Sequence, residues 1–166
     1  WSSLFNLQLM SFYFRRDLEN DSNRRNKLIL IKRTTRRYFN NHHSIAEMMK
    51  EEAVSHGLDF RVFADDPVPS LEETRRMFNR AIVIVAPHGA GESNIVFSQP
   101  GTVLIEGLCK VGKPAKWNFC YKGAAQILGM RYHAIIHEPD CFNITAEQIR
   151  DPLVHYLQFL DILRRD

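Results

Sequence analysis

The stretch Ala81-Ile-Val-Ile-Val-Ala-Pro-His-Gly-Ala-Gly-Glu-Ser-Asn94 decides the fold. Its first six residues are continuously apolar and rich in β-branched side chains, which is typical of a strand covered on both faces. A glycine-rich turn follows at once, and the residues after it predict a short helix over 92–98. A strand that leads through such a turn into a helix is characteristic of nucleotide-binding α/β domains.

Strand-like and helix-like segments alternate on both sides of this stretch. Further strands are predicted at 27–31, 58–63, 102–106 and 131–136, and a helix is predicted over 117–128. Because strands and helices of this length alternate, we expect an open parallel sheet with right-handed crossovers. The predicted fold class is therefore α/β, Rossmann-like, with helices on both faces of the sheet.

Polar residues mark where three helices should begin. Ser44 with Glu47 and Ser70 with Glu73 have the spacing of a capping box, in which both side chains bond free N–H groups at a helix start. Asp151, followed directly by a proline, predicts the start of the last helix. In the helix after Ser70, we expect four side chains to face inward, namely Leu71, Thr74, Met77 and Phe78.

Bulk properties fit one globular domain. The chain has 166 residues, 45% of them hydrophobic and 25% charged. We predict that residues 1–26 form a helical segment and loop, a possible interdomain connection, and that residues 27–166 form the Rossmann-like domain. The chain starts at Trp1 and shows no signal-peptide pattern, so we expect a piece of a longer protein with its targeting segment upstream.

Positive charge is concentrated near the first predicted strand. Seven cations and no acid lie between residues 24 and 37: Arg24, Arg25, Lys27, Lys32, Arg33, Arg36 and Arg37. The cluster suits a phosphate-bearing partner, although a solvated basic face is an equally simple explanation. A nucleic-acid-binding module is not expected, because the cluster lacks interleaved aromatic residues and the net charge is only +3.

Cysteines, acids and the remaining histidines give weaker signals. Cys109, Cys120 and Cys141 fit neither a zinc site nor a CxxC motif, and their pairing stays open. Asp65-Asp66 precedes a proline and predicts a solvated turn rather than a metal site. Asn20-Asp-Ser22 and Asn143-Ile-Thr145 permit N-glycosylation in a lumenal protein. Surface or core roles are expected for the other histidines: His42, His43, His56, His133, His137 and His155.

The glycine turn carries the expected chemistry. Ligands of such sheets bind at the carboxyl ends of the strands, where Gly89, Ala90 and Gly91 would let the backbone approach a phosphate beside a helix N-terminus. His88 could donate to a phosphate or sugar oxygen. Glu106 follows His88 by 18 residues, close to the spacing of about 20 at which an acid meets ribose hydroxyls; an ion pair within the fold is the alternative.

Four motifs in this order resemble glycosyltransferase family 61. They are Arg33-Thr-Thr-Arg-Arg-Tyr-Phe-Asn40, His88-Gly-Ala-Gly91 with Asn94 and Phe97, Pro100-Gly101 with Val103-Leu-Ile-Glu106, and Gly129-Met-Arg-Tyr132. The resemblance covers residues 27–137. The chain departs from it at Glu92, where the family usually has leucine; a carboxylate there would repel the donor unless it points away or contacts a sugar hydroxyl.

The resemblance implies the donor-binding half of a GT-B enzyme. The expected reaction is metal-independent transfer of a sugar, with inversion, from a nucleotide diphosphate such as a UDP-sugar to a glycan or protein hydroxyl. Arg33 would neutralise the diphosphate together with Arg37 or Arg36, and the His88 turn would assist. Asn40 and Asn94 could either shape loops or contact the donor. No tightly bound cofactor and no catalytic base are identified.

The same resemblance implies where in the cell the enzyme works and which part of it the chain represents. The family works in the endoplasmic reticulum or Golgi lumen, usually behind an upstream membrane anchor, and the acceptor is held largely by the other half of the enzyme. The piece alone is therefore expected to be inactive. Two other functions remain open: a catalytically lapsed member acting as a binding or scaffold domain, favoured by Glu92, and a dinucleotide-binding enzyme, disfavoured because no GxGxxG turn follows the first strand.

Overall fold

Five parallel strands form the central sheet of the protein. The structure, a computed structural model, describes residues 2–18, 25–111, 116–138 and 141–163. The sheet contains β1 (Lys27–Lys32), β2 (Asp59–Ala64), β3 (Ala81–Pro87), β4 (Val103–Leu108) and β7 (Arg131–Ile136), in the order β2-β1-β3-β4-β7. Every neighbouring pair in it is parallel. A short antiparallel pair, β5 (Lys110–Val111) and β6 (Lys116–Trp117), follows β4.

Helices cover both faces of this sheet. On one face lie α2 (His42–Ser55) and α5 (Ala146–Leu163), and on the other lie α3 (Leu71–Asn79), the 3₁₀ helix Ala90–Phe97 and α4 (Cys120–Ile127). The side chains of β1 alternate between these two cores, as a strand with helices on both sides requires. All seven residues of β3 are buried. The predicted Rossmann-like α/β fold with helices on both faces is confirmed.

The N-terminal helix packs on the same face as α3 and α4. This helix, α1 (Ser2–Arg15), continues as a 3₁₀ turn to Leu18. Ser11 Oγ donates to the Val96 carbonyl at 2.8 Å, and Arg75 Nη2 donates to the Phe14 carbonyl at 2.6 Å. The predicted helical character of residues 1–18 is thus found in the described part of that segment. The domain boundary at residue 26 stays a prediction, and Arg24 and the sequon at Asn20 lie outside the described residues.

The predicted starts of α2 and α4 differ from the structure. The capping box at Ser70 is present, but the one at Ser44 is wrong, because α2 begins at His42 and Ser44 lies inside it. The helix predicted over 117–128 begins only at Cys120, since the Asn118 side chain accepts the Cys120 N–H at 3.1 Å. Leu71, predicted to face inward, is exposed because it occupies the first residue of α3.

The last helix also starts earlier than predicted. It begins at Ala146, so Asp151 and Pro152 lie within its second turn rather than at its start. Thr145 and Gln148 supply the cap: Thr145 Oγ1 accepts the Gln148 N–H at 3.3 Å, and Gln148 Oε1 accepts the Thr145 N–H at 2.9 Å. This reciprocal pair satisfies two free donors, which is why the helix starts there.

Cys109 and Cys141 form a disulfide, with their Cα atoms 5.2 Å apart, and Cys120 is free and exposed. The disulfide joins the residue after β4 to the loop after β7. Both lie at the carboxyl edge of the sheet, so the bond fixes the position of that loop. Within the described residues, no helix combines the length and the apolarity that crossing a membrane would take.

We predict that Thr145→Ala destabilises the protein and Asp151→Ala does not. Loss of the Thr145 cap should lower the free energy of unfolding by about 1 kcal/mol, whereas the exposed Asp151 caps nothing. Urea unfolding of both variants measures the difference. Equal destabilisation by the two substitutions would contradict the observed helix start.

Candidate functional site

The candidate site lies where β1 and β3 end, at the centre of the sheet. Residues Leu30 and Val85 pair across these strands, so both strands deliver the following segments to the same edge. The chain continues from β1 to one side, to β2, and from β3 to the other side, to β4. The carboxyl edge beside such a reversal of strand order is the usual ligand position in these sheets.

Arg33 and the turn that begins at His88 meet at this edge of the sheet. Arg33 Nη1 donates a hydrogen bond to the His88 carbonyl at 3.0 Å. Its Nε lies 3.9 Å from Asp65 Oδ2, and Asp65 Oδ1 also accepts from the backbone N–H and the hydroxyl of Thr34 at 3.0 and 2.9 Å. Asp65 therefore holds the start of the arginine-rich segment from a bend that is partly exposed to solvent. The two sequence elements predicted to converge do so.

Two glycines allow the close packing of this turn. A Cβ on Gly89 would lie 1.5 Å from Arg33 Nη1, and a Cβ on Gly91 would lie 2.8 Å from the Cγ2 of Ile31. Side chains at these positions would therefore displace Arg33 or the end of β1. The backbone passes from Gly89 into the 3₁₀ helix at Ala90, earlier than the predicted start at residue 92. Ala90 is exposed, so the first turn of this helix reaches the surface.

Glu106 bonds to the His88 ring, and Tyr132 in turn bonds to Glu106. His88 Nδ1 forms a short hydrogen bond with Glu106 Oε1, and the Tyr132 hydroxyl donates to Glu106 Oε2 at 2.5 Å. His88 is 2% exposed and Glu106 is fully buried. Burial, with the hydrogen bond to Glu106, raises the pKa of Tyr132, so its hydroxyl stays a donor. The ribose contact of Glu106 stays a prediction; both carboxylate oxygens are engaged within the fold.

Glu92 points into the protein rather than towards a ligand. It is fully buried, and its Oε2 accepts the Gly89 N–H at 2.8 Å. Burial raises the pKa of this carboxyl well above its usual range, and the neighbouring Glu106 charge adds to the shift. The residue that departs from the family pattern therefore closes the turn from inside the protein. Its carboxyl points away from the surface where a donor would lie.

Aromatic and amide side chains complete the turn. The Tyr121 ring packs edge-on against the His88 ring with centroids 5.5 Å apart, and its hydroxyl lies 3.4 Å from Ser93 Oγ. Asn94 Nδ2 donates to the Gly91 carbonyl at 3.0 Å. This bond shapes the loop, which is one of the two roles considered for Asn94. A contact with the donor, the other role, stays a prediction.

The remaining candidates lie farther along the arginine-rich segment. Arg36 is exposed and Arg37 is half-buried with a φ of 53°; within the described ranges, neither bonds to the His88 turn. Asn40 Nδ2 donates to Asn143 Oδ1 at 2.7 Å, and the Asn40 N–H donates to the Phe142 carbonyl at 2.8 Å. Asn40 thus anchors its segment to the loop after β7, and donor contacts of the two arginines stay predictions.

One group among the described residues has the composition of a metal site. The ligand atoms of His88, Glu92 and Glu106 lie within 4.8 Å of one another. In the arrangement observed, however, His88 Nδ1 and both Glu106 oxygens already take part in hydrogen bonds. An ion held by these groups would have to replace those bonds, so the geometry fits a proton-linked network better.

Sequence reasoning missed Tyr132, Tyr121 and Asp65 as parts of the site. Tyr132 lies on β7, which is adjacent to β4 only after folding, and Tyr121 reaches His88 from α4. The one available signal was Tyr132 in the Gly129–Tyr132 motif. Asp65 follows β2, the strand beside β1, so strand order would have placed it next to Arg33.

Comparison with known families gives one match. A family model described as Glycosyltransferase 61 matches residues 4–105. These residues include the arginine-rich segment, the His88 turn and the first half of β4. No curated protein sequence matches the chain.

We predict that Gly89→Ala is more destabilising than Gly57→Ala. Both glycines have a positive φ, but a Cβ at Gly57 meets nothing within 4 Å, whereas one at Gly89 overlaps the Arg33 guanidinium. We expect losses of about 1 kcal/mol for Gly57→Ala and about 3 kcal/mol for Gly89→Ala in the free energy of unfolding, measured in urea. Similar losses would show that Arg33 does not pack on the turn.

Proposed function

The chain belongs to the glycosyltransferase 61 family, and we propose that it binds the nucleotide-sugar donor in a GT-B enzyme. The reaction is transfer of a sugar from a UDP-sugar to a hydroxyl of a glycan or glycoprotein, with inversion. The observation that carries the proposal is the contact between Arg33 and the His88 turn at the point where strand order reverses. There, a cation and free backbone N–H groups can act on one diphosphate.

The leaving diphosphate is neutralised by protein groups in this proposal, without a metal ion or a tightly bound cofactor. The Arg33 side chain already packs against the turn and is only 11% exposed. Little side-chain freedom is therefore lost when it binds a phosphate. The N–H groups at the start of the 3₁₀ helix add donors. Arg36 or Arg37 supplies a second cation from the same segment.

His88 is the candidate catalytic side chain of this half of the enzyme. When the imidazole is protonated, Glu106 accepts from Nδ1 and the opposite nitrogen, Nε2, can donate to a phosphate or sugar oxygen. The carboxylate fixes the ring orientation and stabilises its positive charge, as the partner of a catalytic histidine does elsewhere. The base that accepts the proton of the acceptor hydroxyl is not assigned.

We further propose that the enzyme works in the endoplasmic reticulum or Golgi lumen, anchored through an upstream membrane segment. The disulfide between Cys109 and Cys141 supports an oxidising compartment. The acceptor is bound across the cleft by the other half of the enzyme, so the piece alone is inactive. A lapsed scaffold member is less well supported, because the burial of Glu92 removes the feature that favoured it.

We predict that UDP raises the melting temperature of the full-length protein and that NAD does not. Arg33→Ala should weaken UDP binding by at least about tenfold, since a charge-assisted contact to phosphate is lost. Arg61→Ala is the matched control, because its side chain is exposed and pairs with Asp59 away from the turn. Calorimetric titration measures the affinities. Stabilisation by NAD alone, or equal loss in both variants, would contradict the donor site.

We also predict that transfer does not depend on a divalent cation. Because cations of the chain and backbone N–H groups neutralise the diphosphate, excess EDTA should leave the rate of sugar transfer by the full-length protein unchanged. His88→Ala should reduce that rate by about 100-fold, the usual effect of removing one preorganised donor. The release of UDP reports both rates. Loss of activity in EDTA that Mn²⁺ restores would contradict metal independence.

A further inference from the structure

Glu92 is a buried acid, and one of its two oxygens has no hydrogen-bond partner among the described residues. Its Oε2 accepts from the Gly89 N–H, while Oε1 is buried and unpartnered within the described part of the chain. The Glu106 carboxyl lies beside it in the same cluster. Burying a polar oxygen without a partner is costly, and burying two facing carboxylates is costlier still. A proton on Glu92 removes both penalties.

We propose that Glu92 is a positioning residue: its neutral carboxyl donates from Oε1 to the Glu106 carboxylate and thereby fixes His88 and the turn. Glu106 then accepts from three donors, namely His88 Nδ1–H, the Tyr132 hydroxyl and Glu92 Oε1–H. The other Glu92 oxygen holds the Gly89 N–H. One side chain therefore connects the buried acid under His88 to the backbone of the proposed phosphate turn.

The charges around Glu92 favour this protonation state. Glu106 faces it from β4 and raises its pKa, as does burial, while Arg33 after β1 and the Gly89 N–H act in the opposite direction. His88 Nδ1 lies 3.9 Å from Glu92 Oε2, but that nitrogen is bonded to Glu106. Three neutral groups complete the surroundings, Tyr121 and Cys120 on α4 and Tyr132 on β7; burial, together with the Glu106 charge, raises the pKa of each.

The inference rests on the proposed donor site for its functional consequence. With Glu92 neutral, the Glu92–Glu106 pair carries one negative charge, which His88 can balance when protonated. Loss of the Glu92 proton would place a second carboxylate beside Glu106, and the repulsion between the two would displace the side chain that holds the Gly89 N–H. Glu92 thus acts on the donor through Gly89 and His88, without touching it.

Infrared difference spectroscopy of the full-length protein tests the protonation state directly. At neutral pH, the wild type should show the carbonyl stretch of a protonated carboxylic acid, and Glu92→Gln should lack it. Glu73→Gln is the matched control, because Glu73 is an exposed acid that also accepts a helix-start N–H. Absence of the band in the wild type, or its persistence in Glu92→Gln, would overturn the proposal.

The pH dependence of stability gives a second readout. A carboxyl with a raised pKa binds its proton more tightly in the folded state, so its contribution to stability falls as pH rises from the ordinary carboxyl range towards the raised value. Glu92→Gln, which cannot ionise, should therefore gain melting temperature relative to the wild type between about pH 5 and pH 8. A pH-independent difference between the two proteins would overturn the proposal.

UDP affinity distinguishes this inference from the proposed function. An amide at position 92 can still donate to Glu106 and accept from Gly89, so Glu92→Gln should retain most of the affinity that Glu92→Leu loses, about tenfold. Equal loss of UDP affinity in both variants would overturn the proposed hydrogen bond from Glu92 to Glu106. A divalent cation that the wild type binds stoichiometrically and that Glu92→Gln does not bind would also overturn it. Failure of the donor site itself would appear separately, as wild-type protein that binds no UDP.

Discussion

A negative charge buried at the carboxyl end of β4 constrains the whole candidate site. Glu106 has no access to water, so its charge must be met by donors from the protein. These come from β7 through Tyr132 and from the end of β3 through His88. The histidine is thereby fixed at the place where the chain turns. Its carbonyl, in turn, receives Arg33, which links the two central strands.

This order of dependence explains why the turn is rich in glycine. The backbone between His88 and Ala90 must pass under the guanidinium group of Arg33, and only a residue without a side chain leaves room for it. The same region needs a group that holds the Gly89 N–H, and Glu92 supplies it from inside the protein. Charge, backbone shape and the position of the arginine are therefore determined together.

The sequence predicted the sheet well, because its evidence is local. Strands such as 81–86 are continuous apolar runs, and their observed ends differ from the predicted ones by at most two residues. Helix starts were predicted less well, since the same polar residues cap some helices and lie inside others. Ser70 caps a helix, whereas Ser44 and Asp151 do not. A capping pattern is reliable only when the preceding residue leaves the helical conformation, which depends on tertiary contacts.

The site was predicted in outline but not in its contacts. Arg33 and His88 could be placed together because both follow strands at the centre of the sheet. The groups around His88 could not, since Tyr121 contacts its ring from α4 and Tyr132 bonds to its partner Glu106 from β7. Both tyrosines come later in the chain, and only folding makes them neighbours of the turn. The inward direction of Glu92 depends on the same packing.

Anchorage of the arginine-rich segment at both ends has a consequence for how such enzymes can diversify. Its start is held by Asp65 and the His88 carbonyl, and its end by Phe39, which packs over Gly107, and by Asn40, which bonds to the loop that the disulfide fixes. The few residues between these anchors are largely exposed. Substitutions there can accumulate at little cost in stability, because the two anchored ends keep the path of the segment.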